Sequence, residues 1–148
     1  MNQIRISCRG LIFHEGRVLL QNIDDRNFWN VPGGGFEFSD KSTTDCVVRE
    51  TLEETGLEAE VIKLFFVQEY QTEETEQIEL FFTLKPLNIE NYTEFHKDPD
   101  SPETKNRLRW FTLEEVDDIA LKPVFLQKKL RELLESNTSL FTQNLLSA

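Results

Sequence analysis

The chain is poor in cysteine, short of positive charge and free of long apolar runs, and each shortage excludes a class of protein. Its two cysteines, Cys8 and Cys46, lie far apart, which excludes a disulfide-stapled scaffold. The opening Met-Asn-Gln-Ile-Arg-Ile-Ser has no apolar core behind a basic end. No secretory signal is therefore expected, the thiols are expected to be reduced, and the expected location is cytoplasmic. Lys plus Arg number 16 against 27 for Asp plus Glu, a net charge of −11, so a nucleic-acid backbone would be repelled and is not expected as a partner. A small anionic substrate would need metal ions to bridge the charge. No apolar run approaches the length of a transmembrane helix, and no membrane partner is expected. Neither an internal repeat nor a low-complexity tract is present. What remains is a globular composition, 39% apolar with twelve Phe, over 148 residues, read as a single domain spanning 1–148.

The stretch from Pro32 to Leu57 organises the rest. It reads as a flexible glycine loop, Pro-Gly-Gly-Gly-Phe-Glu-Phe-Ser-Asp-Lys, running into a helix loaded with carboxylates. The glycines let backbone approach a ligand closely. Ser42 with Asp45 resembles a capping pattern at the helix start, and Gly56 is the expected terminator past Thr55, leaving about three and a half turns. At roughly 100° per residue, Arg49, Glu50, Glu53 and Glu54 fall on one side with Cys46, while Val47, Val48, Thr51, Leu52 and Thr55 form a docking face. Neighbouring carboxylates at this spacing repel one another. They are either a solvated acidic face or a site for a hard cation that prefers oxygen ligands.

The stretch resembles the signature box of the Nudix hydrolases: Gly, five residues, Glu, seven residues, then Arg-Glu-apolar-x-Glu-Glu-x-Gly-apolar. Arg49, Glu50, Glu53, Glu54, Gly56 and Leu57 match the second half, with Thr51 where an apolar residue is usual. The first Glu does not match. Counting back from Arg49 pairs Gly35 with Lys41, a cation where the family has a carboxylate. Counting forward from Pro32 pairs Gly34 with Asp40, and places one extra residue in the loop before the helix, where insertions are tolerated best. The second register is preferred, with Asp40 as the partner of Arg49 and Lys41 turned to solvent.

Around the box, Ile4–Phe13 and Val18–Asn22 read as strands joined by a turn through His14 to Arg17. Asp24 to Asn30 reads as a polar loop whose Phe28 and Trp29 serve either the core or base stacking. Ala59–Gln71 and Gln77–Leu84 read as strands around an acidic tip. Asn88 to Arg107 reads as a long loop shaping the substrate pocket. Arg109–Phe111 reads as a short strand, followed by a capping box at Thr112 to Glu115 and a helix through Ile119. Val124–Glu135 closes as a helix with Leu126, Leu130, Leu133 and Leu134 at helical spacing. The tail from Leu140 to Ala148 packs on the body or on a second subunit, so monomer and homodimer both stay open.

The resemblance covers nearly the whole chain in order of elements. It implies an α/β (α+β) fold, a Nudix-like α/β/α sandwich with a mixed sheet between helices. It also implies hydrolysis of a nucleoside diphosphate linked to another moiety, dependent on Mg²⁺ or Mn²⁺. Glu50 and Glu54, with Glu53 third and a backbone carbonyl at Gly33 or Gly34, are the implied metal ligands. Arg49 is implied to orient Glu50, and the general base is Glu50, Glu53 or a loop acid. Glu103 lies seven residues before Trp110, where many Nudix enzymes carry a further acid, and Glu94 competes for that role. Markers for ADP-ribose and diadenosine polyphosphates are lacking, since Gln71 to Glu74 fill their window. A nucleoside triphosphate or a nucleotide sugar remains, with the triphosphate favoured. The alternative is a catalytically inactive Nudix-fold module that senses a nucleotide.

Overall fold

The computed structural model describes residues 3–135, so the tail from Leu140 lies outside the described residues. Strands β1 (Gln3–His14) and β2 (Arg17–Ile23) form the opening hairpin, and β3 (Gly33–Gly35) follows. Helix α1 (Thr43–Thr55) leads into β4 (Ala59–Gln71) and β5 (Thr75–Pro86). A one-turn helix at Ile89–Asn91 precedes β6 (Phe95–Asp98) and β7 (Ser101–Phe111), and the described chain closes with α2 (Leu113–Asp117) and α3 (Phe125–Glu135).

The strands make a mixed seven-stranded sheet in the order β4-β5-β1-β2-β7-β6, with β3 paired to β1. β1 runs parallel to β5 from Gln3 to Ile12 and pairs antiparallel with β3 over Ser7 to Arg9. The alternation of side chains along β1 and β2 supplies two cores. Leu11, Phe13, Val18 and Leu20 pack with Phe81, Phe111, Leu126 and Leu130 on the α3 side. Cys8, Ile12 and Leu19 pack with Cys46, Val47, Phe82 and Leu84 on the α1 side. The sheet is thus held between helices, as expected. Among the described residues, no helix is long and apolar enough to cross a membrane.

Several readings are corrected. Asn88 to Arg107 is not a long loop: β6 and most of β7 lie within it, and Arg109–Phe111 is only the end of an 11-residue strand. Pairing with β2, from Val18↔Phe111 to Ile23↔Asn106, fixes this segment from a distance, which local turn formers conceal. The glycine stretch is itself a strand rather than a flexible loop. Helix α2 ends at Asp117, two residues short of Ile119, although its Thr112–Glu115 capping box is complete. On α1, Val47, Thr51 and Thr55 are buried as the docking face, but Leu52 is 46% exposed.

Candidate active site

Helix α1 is fixed at both ends by its own sequence. Ser42 Oγ accepts the Asp45 N–H at 3.1 Å, and Gly56 closes the helix in the left-handed region at φ 76°. The C-terminal turn is then pinned to the β6–β7 hairpin. His96 Nε2 lies 2.9 Å from the Glu53 carbonyl, and Asn106 Nδ2 donates to the Glu54 carbonyl at 3.2 Å. These contacts bring the acids of α1 beside the turn between β6 and β7.

Arg49 braces one end of the acidic face. Its Nε and Nη2 donate to the two oxygens of Asp40 at 2.7 and 2.8 Å. Nη1 reaches Glu50 Oε1 at 2.9 Å and the Glu53 carboxylate at 3.3 Å. The Asp40 side chain is buried, and the guanidinium bonds hold its carboxyl down to about 2. Lys41 is exposed. The structure thus places a carboxylate against Arg49 from the register that begins at Gly34.

The other end is answered differently. Glu54 Oε2 accepts the Gly33 N–H at 3.0 Å, yet burial pushes its carboxyl up to about 7. Burial also raises Glu50, with Arg49 opposing, and raises Glu53, where the Glu50 charge adds to the shift. Gly34 lies against the Glu50 carboxyl so closely that a Cβ there would sit 2.5 Å from Cδ. A side chain there would have to displace the Glu50 carboxyl. Of the carbonyls expected to bind metal, Gly33 O accepts from Arg9 Nη1 at 3.3 Å, and Gly34 O faces the Cys46 thiol at 3.9 Å. Gly33 also meets the acids through its N–H.

Glu50, Glu53 and Glu54 share one cleft of about 820 Å³ with Arg5, Arg9, Gln21, Asn30, Asp98 and Asp100. Asp98 and Asp100 are the loop acids that sequence reasoning missed. With Glu53 they place one carboxylate oxygen each within 4.8 Å of one another. Their signal was an Asp-Pro-Asp turn, closed by Asp98 Oδ1 accepting the Asp100 N–H at 2.8 Å. Glu103 is exposed on β7 and does not line the cleft, while Glu94 pairs with Arg107 at 3.2 Å. Phe28 and Trp29 do not line it either: Trp29 packs edge-on against Phe111 with centroids 4.9 Å apart, and Lys122 Nζ lies 4.7 Å over the Phe28 ring. Cys46 is buried beneath the acidic face, and its thiol is pushed up by burial.

The donors on offer are carboxylate oxygens, a set suited to a hard divalent cation such as Mg²⁺ or Mn²⁺. The raised proton affinity of Glu54 marks a charge that the chain only partly offsets. The residues therefore fit such an ion.

Residues 2–134 match the NUDIX domain. No protein of curated function matches the sequence. Among solved structures, a UDP-X diphosphatase is similar with a TM-score of 0.70 and 21% identity, over 89% of this chain and 63% of that one. The chain thus spans less than two thirds of that relative. A Nudix hydrolase from Nitrosomonas europaea is similar with a TM-score of 0.67 and 24% identity, over 91% and 72% of the two chains. An ADP-ribose pyrophosphatase from Streptococcus suis gives 0.64 and 24%, over 89% and 90%.

Proposed function

The chain belongs to the Nudix hydrolase family, its NUDIX domain spanning residues 2–134, and from that premise we propose a Mg²⁺- or Mn²⁺-dependent pyrophosphohydrolase acting on a small nucleotide. The observation that carries this reading is the convergence of Glu50, Glu53 and Glu54 on one cleft that also holds Arg5 and Arg9. Glu50 and Glu54, with Glu53 third, hold the cation. When bound, the cation neutralises the diphosphate and lowers the pKa of an attacking water. Arg49 orients Glu50 and Glu53, and Asp40 orients Arg49 in turn. Glu50 or Glu53 accepts the proton of the attacking water. Arg5 and Arg9 supply positive charge on the wall of the cleft for phosphate oxygens.

Asp40 favours the enzyme over the inactive sensor. The sensor reading drew on the altered first half of the box, and Asp40, in two-point contact with Arg49, supplies a carboxylate there. The substrate favoured is a nucleoside triphosphate releasing pyrophosphate, with a nucleotide sugar second. A panel of triphosphates, nucleotide sugars and dinucleotides, each with Mg²⁺, with Mn²⁺ and with chelator, tests both levels. Metal-dependent release of pyrophosphate is expected. Nucleotide binding without turnover would identify the sensor. A hundredfold preference for ADP-ribose in kcat/KM, about 2.7 kcal/mol, would remove the triphosphate while leaving the hydrolase.

A further inference from the structure

Gln21 on β2 is 1% exposed, and neither atom of its amide has a hydrogen-bond partner. Asn30 carries a buried Oδ1 in the same condition. The two residues face each other in an antiparallel bridge, with backbone N–H to carbonyl distances of 2.9 Å in both directions. Directly opposed residues project their side chains to the same face, and both line the acidic cleft. Gln21 stands near enough to Glu54 to favour its charged form, without completing a hydrogen bond to it. A buried polar group left unpartnered is costly, so a wholly unpartnered Gln21 amide beside an unpartnered Asn30 oxygen on the wall of a cleft points to a ligand.

The chemistry of that ligand follows from what the pair offers. The unpartnered atoms are one NH₂ and two carbonyl oxygens; the NH₂ is matched by the Glu54 carboxylate beside it, which leaves two oxygens that attract hydrogen-bond donors and repel phosphate oxygens. A hydrated divalent cation is such a donor, since Mg²⁺ keeps several of its waters when protein carboxylates bind it.

We propose that Gln21 and Asn30 form an outer cradle for a cation held by Glu54. The Gln21 NH₂ donates to the Glu54 carboxylate and keeps it oriented, and the two amide oxygens accept from the cation's waters. Both amides are positioning groups rather than ligands. The inference rests on the metal-dependent reading above, and it extends that reading to residues outside the box.

The test titrates Mn²⁺ alone into metal-free protein without nucleotide, following free Mn²⁺ by its paramagnetic resonance signal. The wild-type chain should bind. Gln21→Met, which keeps the volume and removes both polar atoms, should weaken Mn²⁺ binding by about 10-fold or more, the usual effect of losing a group that orients a metal ligand. Its melting temperature in chelator should hold or rise, because an unpartnered amide has gone. A purely structural Gln21 would instead lower that temperature and leave Mn²⁺ affinity alone. Should Gln21→Met fail to fold, Asn30→Ala, outside the strand, carries the same measurement. Mn²⁺ affinity within ~2-fold of wild type overturns the cradle, as does a variant that raises KM for nucleotide and leaves Mn²⁺ binding intact. A wild-type chain that binds no Mn²⁺ sinks the metal-dependent reading itself, a distinguishable failure.

Discussion

Arg49 reaches Asp40, Glu50 and Glu53 from within the chain, whereas the Glu54 carboxylate, further along the same helix, meets among the described residues only the Gly33 N–H in a formed hydrogen bond. The first end of the acidic face is braced by one cation, although Glu50 and Glu53 still lie above their ordinary values. The Asp40 carboxyl is held down to about 2 by its cation. At the second end, burial drives Glu54 up to about 7, and buried amides beside it lack partners. Within one cleft, then, one half is braced by Arg49 and the other has no cation of the described residues in contact with it. The brace explains how acids can be crowded on α1, and the proposed cation would take the other half.

The largest expected effect comes from the Glu54 half. Glu54→Gln keeps size and helix propensity and removes a metal-ligand charge, so turnover should fall by about 10²–10³-fold, ~3–4 kcal/mol of transition-state stabilisation. The fold should survive, and metal-free stability should hold or improve, since a buried charge has been removed. Steady-state kinetics at limiting Mg²⁺ alongside a melting curve check both. Wild-type turnover would break the comparison.

The braced half should respond in stability first. Asp40→Asn leaves Arg49 half-buried with its two-point partner neutralised, and should destabilise by about 2 kcal/mol, with activity falling as Glu50 loses its orientation. Lys41→Ala, at an exposed position, should stay within ~0.5 kcal/mol and near wild-type activity. Chemical denaturation of the two variants checks the order, and the reverse order would restore the register that begins at Gly35.

How far this division could be read in advance depended on how local each part is. Ser42, Gly56 and the acids of α1 are set by residues next to them, so the helix and its charged side were legible. The β6–β7 hairpin was not, because Pro99 and Pro102 interrupt the strand pattern and the pairing that stabilises it is with β2, far away in sequence. Trp29 reads the same in a loop whether it stacks on a ligand or on Phe111, and only the fold decides. Gln21 did leave a trace. A polar amide directly after Val18-Leu19-Leu20, at a strand position that becomes buried, departs from the apolar pattern, and strand reasoning alone assigned it nothing.

The pH dependence of the two halves should have opposite signs. Asp40 has a folded value below its ordinary 3.8, so its contribution is present above about 4 and is lost as pH falls toward 2. Glu54 has a folded value above its ordinary 4.5, so its contribution is present below that value and is lost as pH rises through about 7. A metal competes with that proton, so Mg²⁺ should raise the melting temperature more at pH 8 than at pH 5. Glu54→Gln should flatten the metal-free slope between pH 5 and 7. An equal Mg²⁺ effect at both pH values would detach the metal from Glu54.

The smallest effect expected is at Asp100, and it sharpens what separates the halves. Asp100, Asp98 and Glu53 bring carboxylate oxygens within 4.8 Å of one another, and the Asp100 charge is among those that raise Glu53. Asp98 accepts the turn's hydrogen bond and so has a structural duty, whereas Asp100 contributes its backbone N–H, which Asn retains. Asp100→Asn therefore removes one repelling charge and little else. At an exposed site in water the relief is about 0.5 kcal/mol, a rise of about 1–2 °C in the metal-free melting temperature for a chain of this size. The gain should shrink in 1 M salt, where charges are screened beyond about 3 Å. A drop on Asp100→Asn would mean that this carboxylate is partnered within the protein, and the contrast with the Arg49 brace would then end at Glu54 instead of extending across the β6–β7 turn.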